Sequence, residues 1–208
     1  ATSTSGNPVP VTVQVTSGGG IATGSVSIDT SAAMGLATAV LDALGGAATT
    51  VLLPVGTHVL HASYPGDSHV AAAASGPLTH TVSAATTATA VVGPVGSTTY
   101  GQPAAFSATV ASLGTPAVPT GSVAFTVDGT QLSVVPLVAG GATFTSSTRG
   151  TGGHPVNGSY LPDRTVFAAS PPPAVRHLVA PGPTTTTLTS PATTPPGTPL
   201  RLTHRTPP

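Results

Sequence analysis

Apolar and polar residues alternate with a period of two along much of this chain. In GTHVLHASY, residues 56–64, His58, Leu60, Ala62 and Tyr64 fall on one face, and Thr57, Val59, His61 and Ser63 on the other. Further on, Ala104, Phe106, Ala108 and Val110 alternate with Ala105, Ser107 and Thr109. Ser122, Ala124, Thr126 and Asp128 then alternate with Val123, Phe125 and Val127, and Asp128-Gly129 supplies a two-residue hairpin turn. A strand with one buried face reads in this way. One segment, MGLATAVLDALGG from Met34, can also be read as a short helix. Its terminal glycines, and its place between two strand motifs, predict a strand and hairpin instead. Short alternating runs separated by turn signals predict an all-β chain of antiparallel sandwiches.

Composition sharpens this picture. Only 5% of the 208 residues are charged, and there is no Lys and no Glu. Helices draw on Glu, Lys, Gln and Arg for their exposed faces. Thr and Ser must cover the surface here, and they suit strands. With 25 Gly and 23 Pro, long helices are not expected. The absence of Cys excludes disulfides, thiolate metal sites and cysteine nucleophiles. No apolar run reaches the roughly 18 residues of a membrane helix. Membrane insertion is therefore not expected, and a formal net charge of zero argues against non-specific binding to nucleic acid or to a membrane surface. The charge is nonetheless uneven. Asp29, Asp42, Asp67 and Asp128 give residues 1–148 a charge of −4, whereas five Arg and Asp163 give residues 149–208 a charge of +4.

The chain also repeats itself at a spacing near one small domain. HVLHASYPGD from His58 aligns with HPVNGSYLPD from His154, an offset of 154 − 58 = 96. TGSVSID from Thr23 matches TGSVAFTVDG from Thr120, LTHTV matches VRHLV, and TATAVVGP matches TTTTLTSP, each at an offset of 97. A Gly-x-Pro signature occurs at Gly6, Gly101 and Gly197. These landmarks predict three units: residues 1–84 as a domain lacking its first strand, 85–181 as a complete domain, and 182–208 as a Thr/Pro-rich tail resembling the opening strands of a further repeat.

The motifs TTATAVV, GQPAAFSATV, TGSVAFTVDG, VGTHVLHASY and YPGD, taken in order, resemble the bacterial Ig-like repeat domains of large secreted and surface proteins. The resemblance implies tandem Ig-like sandwiches in an extracellular spacer, adhesin stalk or fibre module at the cell surface. The second unit departs from the pattern at its corner, where YLPD replaces YPGD and the Pro-rich SPPPAV follows. A short or displaced last strand is the expected result.

SYPGD is the stretch where a site and a structural corner compete. Asp67 and His69 would need converging partners to hold a metal or to work as an acid and base. A corner needs none. Tyr64 closes the base of the core, Pro65-Gly66 turns the chain, and Asp67 bonds backbone N–H groups. The structural corner is therefore assigned to Tyr64 and Asp67, and to Tyr160 and Asp163 in the second unit. His58 reads as a satisfied core residue, and His61, His69, His80, His177 and His204 as scattered surface positions. No catalytic, cofactor-binding or metal residue is assigned, and no enzyme activity is expected.

The first unit lacks a strand, and the tail holds a spare. Thr184, Thr186, Leu188 and Pro191 are the candidate donor strand, which could fill the open edge of a neighbouring copy. Head-to-tail repetition of that contact would build a filament. The same tail also carries a second-strand motif, GTPLRLTH, that repeat one already has as GNPVPVTVQ. That redundancy fits a window cut from a longer repeat array. The function expected is an extracellular structural fibre or stalk subunit with copies of itself, or neighbouring Ig-like repeats, as partners. The alternative is an adhesin or carbohydrate-binding surface module that recognises a cell-surface glycan or protein.

Overall fold

A computed structural model describes residues 1–147, 149–171, 173–189, 196–197 and 203–205. Among them there is no helix, so the all-β reading holds. The strands before residue 84 form one set of sheets. β1 (Thr2–Thr4), β3 (Ser25–Thr30), β4 (Ala33–Val40), β6 (Gly56–Tyr64), β7 (Ala73–Ala74) and β8 (Leu78–Ser83) make a six-stranded sheet ordered β1-β8-β6-β3-β4, with β7 on β6. Facing it, β2 (Val9–Gln14) and β5 (Gly46–Val51) form a two-stranded sheet. Val9 and Val51 from the small sheet meet Ile28, Leu60 and Val82 from the large one in a common core.

Strands after residue 85 form a second set. β10 (Thr98–Thr99), β12 (Gly121–Val127), β13 (Thr130–Pro136), β15 (Gly152–Pro162) and β16 (Ala174–Ala180) are ordered β10-β16-β15-β12-β13. The facing sheet has three strands, β9 (Thr86–Val92), β11 (Ala104–Leu113) and β14 (Gly141–Ser146), ordered β14-β11-β9. Phe106, Ala108 and Val91 from this sheet pack on Val123, Phe125, Val156 and Tyr160 from the other, forming one contiguous core. Among the described residues the two sets differ at two places: β7 on β6 has no counterpart in the second set, and β9 lies on β11 as a third strand, whereas no strand pairs with the corresponding side of β2.

Each core follows from the period-two pattern. Ala104, Phe106, Ala108 and Val110 are all buried, and the residues between them are exposed. Asp128 and Gly129 both take positive φ, 52° and 78°, and close the β12–β13 hairpin, as the right-handed strand twist favours. Two expectations need correction. The segment from Met34 does contain a strand, but it forms no hairpin with the next one. β4 pairs with β3 in one sheet, and β5 pairs with β2 in the facing sheet. Asp42 makes that crossing by accepting the N–H groups of Leu44 and Gly46, each at 2.8 Å. The last strand of the second set, β16, is neither short nor displaced. It has seven residues and pairs with β15 from Gly152 to Asn157, because Pro171 and Pro173 lie ahead of it rather than within it.

In the tail, β17 (Thr187–Thr189) pairs antiparallel with β18 (Thr203–Arg205). Pro191, part of the candidate donor strand, lies outside the described residues.

Candidate functional site

The corner begins with a ring at the end of a buried strand row. Tyr64 is the last residue of β6 and is 4% exposed. Its Oη donates to the Thr23 carbonyl at 3.0 Å. Asp67 sits beyond the Pro65-Gly66 turn. Its Oδ2 accepts the Thr23 N–H at 2.8 Å and the Thr23 hydroxyl at 2.7 Å. Its Oδ1 accepts the N–H groups of His69 and Val70, each at 2.7 Å. Four donors converge on one carboxylate, and the Thr23 hydroxyl bond, followed by the three backbone bonds, holds its pKa far below the usual carboxylate range. Gly66 is required there. Its φ is +89°, and a Cβ would lie 2.9 Å from the Ala72 nitrogen.

The second corner repeats the tyrosine and thins the aspartate. Tyr160 is 1% exposed, and its Oη donates to the Thr120 carbonyl at 2.6 Å. Burial raises its pKa, so the hydroxyl keeps its proton at neutral pH. Asp163 accepts the Thr120 hydroxyl at 2.8 Å. In both corners the tyrosine and the aspartate tie the end of one strand to the threonine that precedes the TGSV strand. Each carboxylate accepts from the threonine across the corner, and Asp67 also from two amides of its own loop, an arrangement that fixes backbone.

The histidines divide differently from the sequence expectation. His58 is half-buried rather than in the core, and its Nε2–H donates to the Pro54 carbonyl at 2.8 Å. His80 and His177 are buried, not surface positions. Each lies in the last strand of its set and bonds a hydroxyl of the short parallel strand beside it: His80 Nε2 to Ser3 Oγ at 2.9 Å, and His177 Nε2 to Thr98 Oγ1 at 2.8 Å. The alignment of LTHTV with VRHLV marked these positions, but the strands that cover them lie 77 and 79 residues away in sequence. His69 is exposed and His61 half-buried.

A cluster that sequence reasoning missed lies at the end of the second set opposite its corner. Asp128 Oδ2 is 2.8 Å from His154 Nδ1 and 3.5 Å from Arg149 Nη1. His154 Nε2 faces the Gly150 carbonyl at 2.9 Å. The bond to Asp128, and then the one to Gly150, raise the His154 pKa. Both ring nitrogens therefore face acceptors within the cluster, so the contacts fix the ring in place and turn neither nitrogen toward a nucleophile. Among the described residues, no group of three His, Asp, Glu or Cys side chains is placed to hold a metal.

Two further features concern how the chain extends. Only Ala84 and Ala85 separate β8 from β9. Ala85 is fully buried; its N–H donates to the Val166 carbonyl and its carbonyl accepts the Ala168 N–H, each at 2.8 Å. Across the same junction, Asn7 Nδ2 donates to the Gly114 carbonyl at 2.8 Å. Gly6 approaches Thr115 so closely that a Cβ would lie 2.6 Å from its hydroxyl. The second feature is the side of β2 that carries no partner strand among the described residues. A shallow groove runs beside it, lined by Val11, Val13, Ile28, Leu60, Ala62 and Leu78 among others. Of the residues expected as a candidate donor strand, Thr184 and Thr186 are exposed, and Leu188 lies in β17.

No curated protein sequence matches the chain. Among solved structures, the fibronectin(III)-like modules of Clostridium thermocellum CbhA align over 86% of this chain and 89% of theirs, at 17% identity and a TM-score of 0.40. A Corynebacterium diphtheriae protein described as membrane anchored aligns over 91% of this chain and 55% of its own, at 14% identity and a TM-score of 0.37. Salmonella alpha-2-macroglobulin aligns over 91% of this chain at 12% identity and a TM-score of 0.37, with 15% of its own length covered. This chain thus spans about half of the second structure and less than a sixth of the third. The model of the bacterial Ig-like domain (group 3) matches residues 1–83, the whole of the first set of sheets.

Proposed function

We propose that this chain is an extracellular structural segment in which Ig-like modules stand end to end as part of a stalk or fibre at the cell surface, with no catalytic role. Residues 1–84 and 85–181 are two copies of one module in this reading, and 182–208 begin a third.

The junction carries the reading. A flexible linker between independent domains is usually long, polar and free of contacts. Here two residues join the modules, one of them is fully buried, and Asn7 bonds across the gap to Gly114. A joint of this kind resists bending and passes tension from one sandwich directly to the next. The tyrosine corners support the same role, because each ties the end of a core strand to a neighbouring strand's entry. Among the described residues, the exposed large apolar side chains are aliphatic apart from Tyr100, which gives a glycan-binding face little to stack on.

Single-molecule stretching of the full chain tests this. Two separate unfolding events are expected, each releasing about 300 Å of contour for a module of the 83-residue size matched by the family. A single event that releases the whole chain, or extension without resistance, would refute load-bearing modules.

A further inference from the structure

We infer that Asp128, His154 and Arg149 form a proton-dependent latch on the second set of sheets, closed while the His154 ring carries both its N–H groups and released when it loses one. The latch acts whether or not the chain bears load.

The internal repeat shows what the second set has added. His58 and His154 are equivalent at the offset of 96, and each Nε2–H donates to the carbonyl four residues earlier, Pro54 at 2.8 Å and Gly150 at 2.9 Å. The same offset puts Leu53 in the place of Arg149 (149 − 96 = 53). The offset of 97 that aligns the TGSV strands puts Ser31 in the place of Asp128 (128 − 97 = 31). Leu53 is 6% exposed and belongs to the first core with Ile28 and Leu60. The Arg149 side chain is 24% exposed, and its Nε is buried. An apolar plug in one set is thus a charged cluster in the other. Withdrawing a guanidinium from water is costly, and packing alone is served as well by leucine.

The contacts of His154 set its charge. A neutral imidazole carries one N–H and one lone pair. Here Nδ1 lies 2.8 Å from Asp128 Oδ2 and Nε2 lies 2.9 Å from the Gly150 carbonyl, a carboxylate and a carbonyl that both accept. The two bonds exist together only in the imidazolium. Once the proton leaves, one nitrogen turns a lone pair toward an oxygen, and that contact opens. The bond to Asp128 first, and the bond to Gly150 second, place the folded-state pKa above the unfolded value of 6.5. The contribution of the latch to stability is therefore full below about pH 6.5 and is lost as pH rises through the folded value. Asp67 works in the opposite sense in the first set, where acid removes its contribution.

The latch joins the β12–β13 turn, the loop ahead of β15 and β15 itself at one end of the sandwich. Phe106, Val127, Val156 and Val179 line the same small hollow as Arg149 and His154, and all four are buried. Release therefore loosens the cover over that end of the core. Besides Asp128 and Arg149, one titratable group among the described residues faces His154: His177, opposite it on β16, with Nε2 bonded to Thr98 Oγ1. Arg176 lies over Gly153 on the other face of the sheet. The facing sheet presents Ala104, Phe106 and Ser146 to the hollow, and none of them titrates.

Hydrogen exchange of the full chain, read peptide by peptide and normalised to unstructured rates, tests the latch between about pH 5.5 and about pH 8.5. Protection of β12 and β15 should fall severalfold as pH rises above 6.5, while that of β3 and β6 holds. Two substitutions should move the midpoint of this loss in opposite directions. Asp128→Asn removes the carboxylate and keeps a residue that tolerates the positive φ of the turn, so the midpoint should move to lower pH. Arg149→Leu restores the residue type of the first set and removes a repelling cation, so the midpoint should move to higher pH. The His154 ring signals in nuclear magnetic resonance should titrate in the same order across the three proteins. Flat protection over the whole range overturns the proposal. So does a loss whose midpoint neither substitution moves, which would assign it to another group such as His177. An equal loss in β3 and β6 overturns it as well, because the latch belongs to the second set alone.

Discussion

Asp67 and Asp163 stand at equivalent corners and do different amounts of work. Asp67 accepts four hydrogen bonds and Asp163 accepts one recorded bond, from Thr120. The difference follows from the turn: Pro65-Gly66 brings the His69 and Val70 amides round to the carboxylate, and YLPD lacks that glycine. Because the folded-state pKa of Asp67 is depressed, its contribution to stability is full above the unfolded value of about 3.9 and is lost as pH falls below it. Acid titration of unfolding should therefore reveal a loss of first-module stability below about pH 4. In Asp67→Asn that loss should shrink, with lower stability at neutral pH. An unchanged acid profile would remove Asp67 from the account. At Tyr160 the test is the hydroxyl. Tyr160→Phe should cost about 0.5–1.5 kcal/mol in chemical denaturation, the net worth of one buried hydrogen bond. Tyr160→Ala should cost about 3–5 kcal/mol through the cavity it leaves. Equal losses in the two variants would mean that packing contributes nothing beyond the hydroxyl.

Strand positions and faces were legible in the sequence because a period of two is a local property. The alternation over 104–110 became a fully alternating burial pattern in β11, and Asp128-Gly129 became the hairpin turn. Sheet partnership was less legible. Whether β5 pairs with β4 or crosses to β2 depends on which core is being closed, and Asp42 decides it through two backbone bonds. Burial of His80 and His177 was hidden for a related reason: each is covered by a two- or three-residue strand from the start of its own unit. The Asp128–His154 pair joins a hairpin turn to a strand 26 residues on, and no spacing rule connects them. The contrast between β2 and β11 yields a measurement at this level. Alternate amides on the unpaired side of β2 should exchange with solvent deuterium far faster than those of β11 that bond β9. Equal protection in a dilute monomer would show that this edge is covered.

In the proposed reading the whole molecule is two sandwiches in series, with contacts between them at Ala85, Asn7 and Gly114. The Asn7–Gly114 contact could not be read from the sequence, because it joins a loop near the start of the chain to one 107 residues later. What the sequence did carry was the spacing of 96 to 97 residues that sets where each module begins. Small-angle X-ray scattering on the full chain, extrapolated to infinite dilution, tests the central claim most directly. A compact body of 208 residues would have a radius of gyration of about 17 Å. Two modules in line should exceed about 20 Å, with a second shoulder in the distance distribution at the module separation. A value near the compact limit with a single symmetric peak would contradict the account.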